Sequence, residues 1–201
     1  MWKYLIAFSL LFSAEVSAGK KILAVAGSTR DGSYNLMLAR QAAEMAEVLG
    51  ASVTFIDMSD MDIPPYDKDD EQRSGIPKDA KRFRDLMYHS DGVIISVPKF
   101  QTGYAVTLKN ALDWSSRSPD KHYTTKAFEG KKFALMSTSA GKRGGERSVF
   151  MLMTAIRSIG GLPVLPQVSV PDSPRAFGDD EKLISPDLTL ELQKEIEQLM
   201  K

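Results

Sequence analysis

Ile22-Leu23-Ala24-Val25-Ala26 followed by Gly27-Ser28-Thr29-Arg30-Asp31-Gly32-Ser33-Tyr34-Asn35 is a short apolar run that stops at a polar turn and passes into an amphipathic stretch. A strand, a turn and a helix in that order leave unpaired backbone N–H groups and the positive end of the helix dipole directed at one spot, which suits an anion. Ser28, Ser33 and Asn35 add neutral donors, and Arg30 adds a planar cationic fork matched to phosphate oxygens. The spacing is neither G-x-x-x-x-G-K-[ST] nor G-x-G-x-x-G, which argues against a Walker NTPase and a dinucleotide-binding turn. A phosphate-bearing ligand is the sharp reading, and an ordinary polar strand-to-helix turn is the plain one.

Outward from this stretch, short β-rich runs alternate with longer amphipathic ones. Ile22 to Ala26, Val53 to Ile56, Val93 to Val97, Phe133 to Met136 and Val164 to Val168 read as strands, mostly the continuous apolar runs of a sheet covered on both faces. Tyr34 to Leu49, Lys78 to His89, Tyr104 to Ser116 and Gly145 to Ile159 read as helices, with a last helix from about Asp187 to Met200. In the first helix Leu36, Ala39, Ala43, Ala46 and Leu49 recur at three- and four-residue steps and predict one buried stripe. Helical crossovers between strands imply an α/β fold with a five-stranded parallel sheet in order 2-1-3-4-5. Ligands of such sheets bind beyond the carboxyl ends of the strands, so Ser28 to Asn35, Pro98 to Gly103 and Ser137 to Gly145 are expected around one crevice. The proline-rich tail from Pro163 is expected to run extended across the surface.

Length and composition set bounds. The 201 residues, 43% hydrophobic, suffice for one substantial core and one domain over residues 19–201. Lys+Arg and Asp+Glu are both 26, so no net field attracts nucleic acid or an anionic membrane, while self-association is permitted. Without cysteine there is no disulfide, thiolate nucleophile or cysteine metal site. His89 and His122 offer little for a histidine triad or a multi-histidine metal centre, and Lys81-Arg82-Phe83-Arg84, set among Asp79 and Asp85, reads as a solvated helix face. Residues 1–18 place Lys3 before the apolar run Tyr4 to Phe12 and end Val16-Ser17-Ala18, which resembles a secretory signal peptide. Cleavage after Ala18 would give an exported or periplasmic protein with no membrane span in its mature chain; a cytoplasmic protein with an uncleaved tail is the alternative.

Three further segments carry a resemblance. They are Leu108-Lys109-Asn110-Ala111-Leu112-Asp113-Trp114, the glycine-rich Ser137-Thr138-Ser139-Ala140-Gly141-Lys142-Arg143-Gly144-Gly145-Glu146-Arg147, and Ala176-Phe177-Gly178-Asp179-Asp180. Together with the Gly27 to Asn35 loop they resemble the NADPH-dependent FMN reductase family of flavodoxin-like proteins, in the same order, from residue 21 to about 185. The resemblance implies a flavodoxin-like three-layer sandwich that binds FMN. NADPH or NADH would be the electron donor, and a flavin, a quinone or another small molecule the acceptor. It implies that Ser28, Arg30, Ser33 and Asn35 hold the FMN phosphate, that Pro98, Lys99, Phe100 and Gln101 border the isoalloxazine ring, and that Ser139, Gly141, Gly144 and Gly145 close over its other edge. No side chain need act as a catalytic base, because the cofactor carries the chemistry. The family's usual assembly implies a homodimer or homotetramer through the helix carrying LKNALDW, with Asp113 and Trp114 as packing and dimer-contact residues.

The chain departs from the family pattern between Lys99 and Val106. Phe100 keeps an aromatic ring without a hydroxyl, Gln101 lengthens an amide, and Lys99 puts a cation where a carboxylate is usual, beside a ring whose reduced form is anionic. This leaves room for a flavin-binding electron-transfer module, and the signal-like segment for an exported, non-enzymatic relative.

Overall fold

The computed structural model describes residues 19–101 and 103–201; the signal-like segment lies outside them. β1 (Lys21–Ala26) is an interior strand, buried from Ile22 onward. It pairs in parallel with β2 (Ser52–Asp57) on one side and β3 (Gly92–Ser96) on the other. β3 pairs in parallel with β6 (Lys132–Thr138), separated from it in sequence by the small hairpin β4 (Lys99–Phe100) and β5 (Gly103–Tyr104). With the hairpin set aside, the sheet has the expected 2-1-3-4-5 order.

Alternation along the strands divides the core between two faces. Leu23, Val25, Val93, Ile95, Phe133 and Leu135 face the helices α3 (Lys78–His89), α4 (Val106–Ser115) and α5 (Glu146–Ser158). Ile22, Ala24, Ile94, Ala134 and Met136 face α1 (Tyr34–Val48) and α7 (Pro186–Met200). This is the flavodoxin-like three-layer sandwich. Small residues on α1 let it sit close to the sheet: Ala39, Ala42, Ala43 and Ala46 are buried, together with Leu38. The expected stripe is displaced from both ends of the helix, for Leu36 is half-buried and Leu49, the C-cap, is exposed. α1 must cover both the sheet and Leu192 and Ile196 of α7, which centres its apolar face on Ala39, Ala42 and Ala46. In α3, Lys81 and Arg84 both pair with Asp85 while Phe83 is buried, as a solvated helix face requires.

The fifth strand differs from expectation. Val164 to Val168 is not a continuous strand; two short pieces, β7 (Leu162–Pro163) and β8 (Ser169–Val170), flank it and pair in parallel with different parts of β6. Pro163 lies within β7, where the N–H groups of Leu162 and Val164 on either side of it donate to β6, but Pro166 has no N–H with which to continue the ladder; the Leu165–Pro166 peptide is cis. Nor does this segment run across the surface, since Val164, Val168 and Val170 are buried against α7. A single short helical turn, α6 (Ser173–Ala176), then leads the chain toward α7. Glu195 of α7 fills the interruption: fully buried, it accepts the Val168 N–H on Oε2 at 3.1 Å. Burial pushes its carboxyl pKa well above the usual carboxylate range, against the opposing pull of the Val168 and Leu135 N–H groups.

The long connection between β2 and α3 contains α2 (Lys68–Ser74), capped by Asp67, which accepts the N–H groups of Asp69 and Asp70. Its Glu71 is fully buried and takes the Arg117 guanidinium, with Arg117 Nε 2.9 and 3.0 Å from the two carboxylate oxygens and the Tyr66 hydroxyl donating at 3.1 Å. α4 grips the same connection higher up: Asn110 Oδ1 accepts the Tyr66 N–H at 2.6 Å, and Trp114 Nε1 donates to the Pro64 carbonyl at 2.8 Å. Trp114 is therefore an internal packing residue; at 1% exposure it is unavailable as a dimer contact. Asp113, by contrast, stands at the surface and pairs with Lys109 at 2.6 Å.

Candidate functional site

The three loops expected to share a crevice do meet at the carboxyl edge of β1, β3 and β6. Gly27 N–H donates to the Ser96 carbonyl at 2.8 Å, which brings the first loop against the end of β3. Space is tight at this crossing, because a Cβ on Gly27 would lie 3.1 Å from that carbonyl oxygen and 3.3 Å from Leu108 Cδ2. Asn35, in the first turn of α1, reaches across to β3 and β6. Its Oδ1 accepts from Ser96 Oγ and from the Thr138 N–H, both at 3.1 Å, and its Nδ2 donates to the Thr138 carbonyl at 3.1 Å. Ser137 Oγ then ties β6 to the Val97 carbonyl at 2.6 Å.

Within the first loop, Ser33 is the N-cap of α1 and accepts the Asn35 N–H at 3.3 Å. Ser28 Oγ accepts the Arg30 N–H at 3.3 Å, and Gly32 takes φ +60°, a left-handed turn that glycine adopts without strain. Among the described residues no acceptor claims the N–H of Ser28, Thr29, Asp31, Gly32 or Ser33, and the exposed Arg30 has no ion-pair partner. Free N–H groups at the start of a 15-residue helix, hydroxyls from Ser28 and Ser33, and an uncommitted guanidinium form the donor set of a phosphate site. The Asn35 carboxamide, expected among the phosphate ligands, is instead bonded at both ends to protein. Its place is to hold the cradle onto the sheet.

Pro98, Lys99, Phe100 and Gln101 lead from β3 into the hairpin. Pro98 is half-buried, whereas Lys99, Phe100 and Gln101 are exposed, and Gln101 has φ +52°. Ser148 of α5 anchors the returning strand by donating to the Gly103 carbonyl at 2.7 Å. Tyr104, half-buried behind the hairpin, has its phenol pushed up to about 12, by burial first and by the Asp113 carboxylate second, so it remains a neutral phenol.

The loop after β6 closes the third side. Ser139 is half-buried and Gly141 exposed. Gly144 and Gly145 are buried with φ +56° and +89°. A Cβ on Gly144 would meet the Val170 backbone at 2.6 Å, and one on Gly145 would lie 2.0 Å from Ser137 Oγ and 3.9 Å from Lys99 Cβ. These two glycines let the loop lie against β6 and β8, and Gly145 brings the Lys99 stem beside it. The Ala176 to Asp180 segment packs against the start of α1, with Phe177 stacked on Tyr34, between Ser33 and Asn35, at 5.6 Å between ring centroids.

Sheet order, phosphate-type cradle and a glycine-lined crevice at the strands' carboxyl edge define a flavodoxin-like nucleotide-binding protein. The chain belongs to the NADPH-dependent FMN reductase family, whose sequence model matches residues 20–174. It is 29% identical over 180 residues to an NAD(P)H-dependent FMN reductase of Pseudomonas aeruginosa, covering 89% of this chain and 92% of that one. It is 33% identical over 133 residues to a quinone reductase of Escherichia coli, 66% of each chain. Among solved structures, the flavoenzyme NAD(P)H:(acceptor) oxidoreductase FerB of Paracoccus denitrificans superimposes with a TM-score of 0.74 at 22% identity, over 90% of this chain and 97% of that one.

The residues present fit FMN. The cradle supplies the donors that a terminal phosphate requires, and the crevice is bordered by backbone that glycines keep close. Sequence reasoning missed the positioning residues Ser96, Thr138 and Ser148. Their signal is weak, since a serine or threonine at a strand end looks like any other.

Proposed function

We propose that this protein is an FMN-dependent oxidoreductase that takes electrons from NADPH or NADH and passes them to a flavin, a quinone or a similar small acceptor. The convergence of the three loops on the uncommitted donors of residues 28–33 carries the reading. Bound FMN supplies the two-electron relay between nicotinamide and acceptor. Ser28, Arg30 and Ser33 bind its phosphate, and Asn35 keeps their loop in register with β3 and β6. Pro98, Lys99, Phe100 and Gln101 border one side of the ring, and Ser139, Gly141, Gly144 and Gly145 the other. Lys99, exposed and free of ion pairs among the described residues, favours the anionic, reduced form of the ring. The quinone reductase among its relatives supports a quinone among the acceptors.

The same reading includes assembly and location. The chain forms a homodimer or homotetramer, with the outer face of α4, where Val106 is 79% exposed, as one contact. The segment 1–18 exports it to the periplasm or beyond, and N-terminal sequencing of protein from cells tests this by showing a chain that starts at Gly19. No described helix is long and apolar enough to cross a membrane. The function itself is tested by purifying the protein with FMN: a yellow preparation bleached by NADPH under anaerobic conditions is expected. A colourless preparation that does not take up added FMN overturns the reading.

A further inference from the structure

The end of the interrupted fifth strand carries the loop that closes the crevice. Ser137 N–H donates to the Val168 carbonyl at 3.0 Å, and the Val170 carbonyl accepts from the Ser139 N–H at 3.2 Å and from Thr138 Oγ1 at 3.0 Å. Ser173 N–H returns to the Ser139 carbonyl at 3.1 Å. A Cβ on Gly144 would stand 2.6 Å from the main chain of Ser169 and Val170, so the loop rests on β8 with no side chain between them. The place of β8 therefore sets the place of Ser139 to Gly145 over the crevice.

β8 has little of its own to hold that place. It is two residues long, and between the bond of Val164 N–H to the Phe133 carbonyl and that of Ser137 N–H to the Val168 carbonyl no main-chain hydrogen bond joins the fifth strand to β6 among the described residues. Glu195 of α7 enters this gap. Its fully buried carboxyl accepts the Val168 N–H on Oε2 at 3.1 Å and also takes the Leu135 N–H, so one side chain bridges β6 and the fifth strand where their ladder is missing. Oε1 has no partner among the described residues. The layer of core around it is apolar, with Met136 of β6, Val164 and Val168 of the fifth strand, and Leu192 and Ile196 of α7. Charged neighbours turn elsewhere: Glu191 and Lys194 of α7 and Arg40, Glu44 and Glu47 of α1 are exposed, and Lys132 of β6 gives its ammonium to the Gln198 carbonyl at 3.2 Å.

We infer that Glu195 is a positioning residue for the cofactor crevice: it fixes Val168, Val168 and Val170 fix β8, and β8 fixes the glycine-rich loop that lies on it. The inference rests on the reading of that crevice as an FMN site. The device requires an uncharged carboxyl. A carboxylate here has no cation to pair with, and the cost of burying an isolated charge is relieved by opening the gap to water. Opening it frees Val168 and lets the loop leave the crevice. Burial keeps the proton on Glu195 well above the usual carboxylate range, so the loop stays seated until the pH climbs through that raised value.

The dissociation constant of FMN, read by flavin fluorescence quenching from pH 5 to pH 9.5, tests this on the wild type and on Glu195→Gln. Glutamine keeps an oxygen for the Val168 N–H and does not ionise. Titrations of FMN itself are common to both proteins, so the ratio of the two constants is the readout. The wild type is expected to match the variant at pH 5 and to weaken relative to it as pH rises, by up to about tenfold per pH unit above the folded pKa. A second readout needs no flavin. In the FMN-free protein, amide hydrogen exchange at Ser137 and Ser139 is expected to outpace that of the variant by at least about tenfold at the alkaline end. A role confined to global stability would lower the unfolding midpoint and leave both readouts parallel in the two folded chains, and that result overturns the inference. A wild type that binds no FMN at any pH would count against the proposed function, and the exchange rates would still decide whether Glu195 sets the loop.

Discussion

The side-chain amide of Asn35 brackets the main chain of Thr138, accepting its N–H and donating to its carbonyl, each at 3.1 Å and across 103 positions of sequence. The first turn of α1 is thereby fixed to the end of β6, and the cradle and the glycine-rich loop move as one body. Asn35→Ala leaves the buried Thr138 N–H and carbonyl without these partners, at about 1–3 kcal/mol for each group. Denaturant unfolding is expected to show a loss of several kcal/mol. Asn35→Asp is expected to be at least as damaging at neutral pH, because it sets an acceptor against the Thr138 carbonyl. A wild-type midpoint in both variants would refute the bracket.

Arg30 is a contrasting case, since its guanidinium contacts nothing that the fold requires. Arg30→Ala is expected to leave the melting temperature unchanged. A charge-assisted hydrogen bond is worth about 1.5–3 kcal/mol, so FMN binding should weaken by roughly 10- to 100-fold. Flavin fluorescence quenching measures this directly, and an unchanged Kd would remove Arg30 from the phosphate site.

Glu195 makes stability depend on pH. Its folded pKa is raised above the ordinary value of 4.5, so above that value the unfolded chain releases a proton that the folded one retains. The stabilisation is full below the unfolded pKa and is lost as pH climbs through the folded pKa. Each pH step of one between those two values removes about 1.4 kcal/mol. Glu195→Gln keeps an oxygen for the Val168 N–H without the titration. It is expected to match the wild type at pH 4 and exceed it at pH 8 in urea unfolding. Parallel stability curves for the two proteins would exclude this role.

The buried pair of Glu71 and Arg117 pins the connection between β2 and α3. Removing the cation alone strands a carboxylate that is wholly buried, so Arg117→Ala is expected to cost about 3–5 kcal/mol. The double variant Glu71→Gln/Arg117→Met should recover most of that loss. A double-mutant cycle with no coupling would show that the connection is held by Asn110 and Trp114 alone.

Gly145 is fixed by space as well as by φ. Gly145→Ala would bring a methyl to 2.0 Å from Ser137 Oγ at φ +89°, and unfolding measurements are expected to show a loss of about 2–4 kcal/mol. Gly141→Ala, where the nearest atom is Ser139 Oγ at 3.8 Å, should be close to neutral. Equal effects at the two positions would contradict this packing.

Continuous apolar runs such as Ile22 to Ala26 made the sheet and its covered faces legible from sequence, and α3 begins and ends at Lys78 and His89 as its periodicity predicts. The local donors of the cradle were legible for the same reason, since Gly32, Ser33 and the start of α1 lie within a few residues of each other. What escaped depends on distant partners. Nothing in the sequence signals the bonds of Asn35 to Ser96 and Thr138, and Trp114, read as a packing and dimer-contact residue, is placed inside by Pro64 and Tyr66. The fifth strand escaped because Val164 to Val168 has strand composition, whereas its pairing is decided by the missing N–H of Pro166 and by a carboxyl from α7 that takes the Val168 N–H.

That interruption has a consequence for the rims of the sheet. Any strand at a rim offers unpaired main-chain groups on which a foreign segment can grow, the first step toward a fibril. At the β7 and β8 rim that template is broken into two-residue pieces separated by the Val164 to Val168 segment. The opposite rim, β2, presents six consecutive residues from Ser52 to Asp57. Growth of misassembled chains is therefore directed to one side of the molecule, and a proline or inward charge placed in β2 is where resistance to aggregation would be gained.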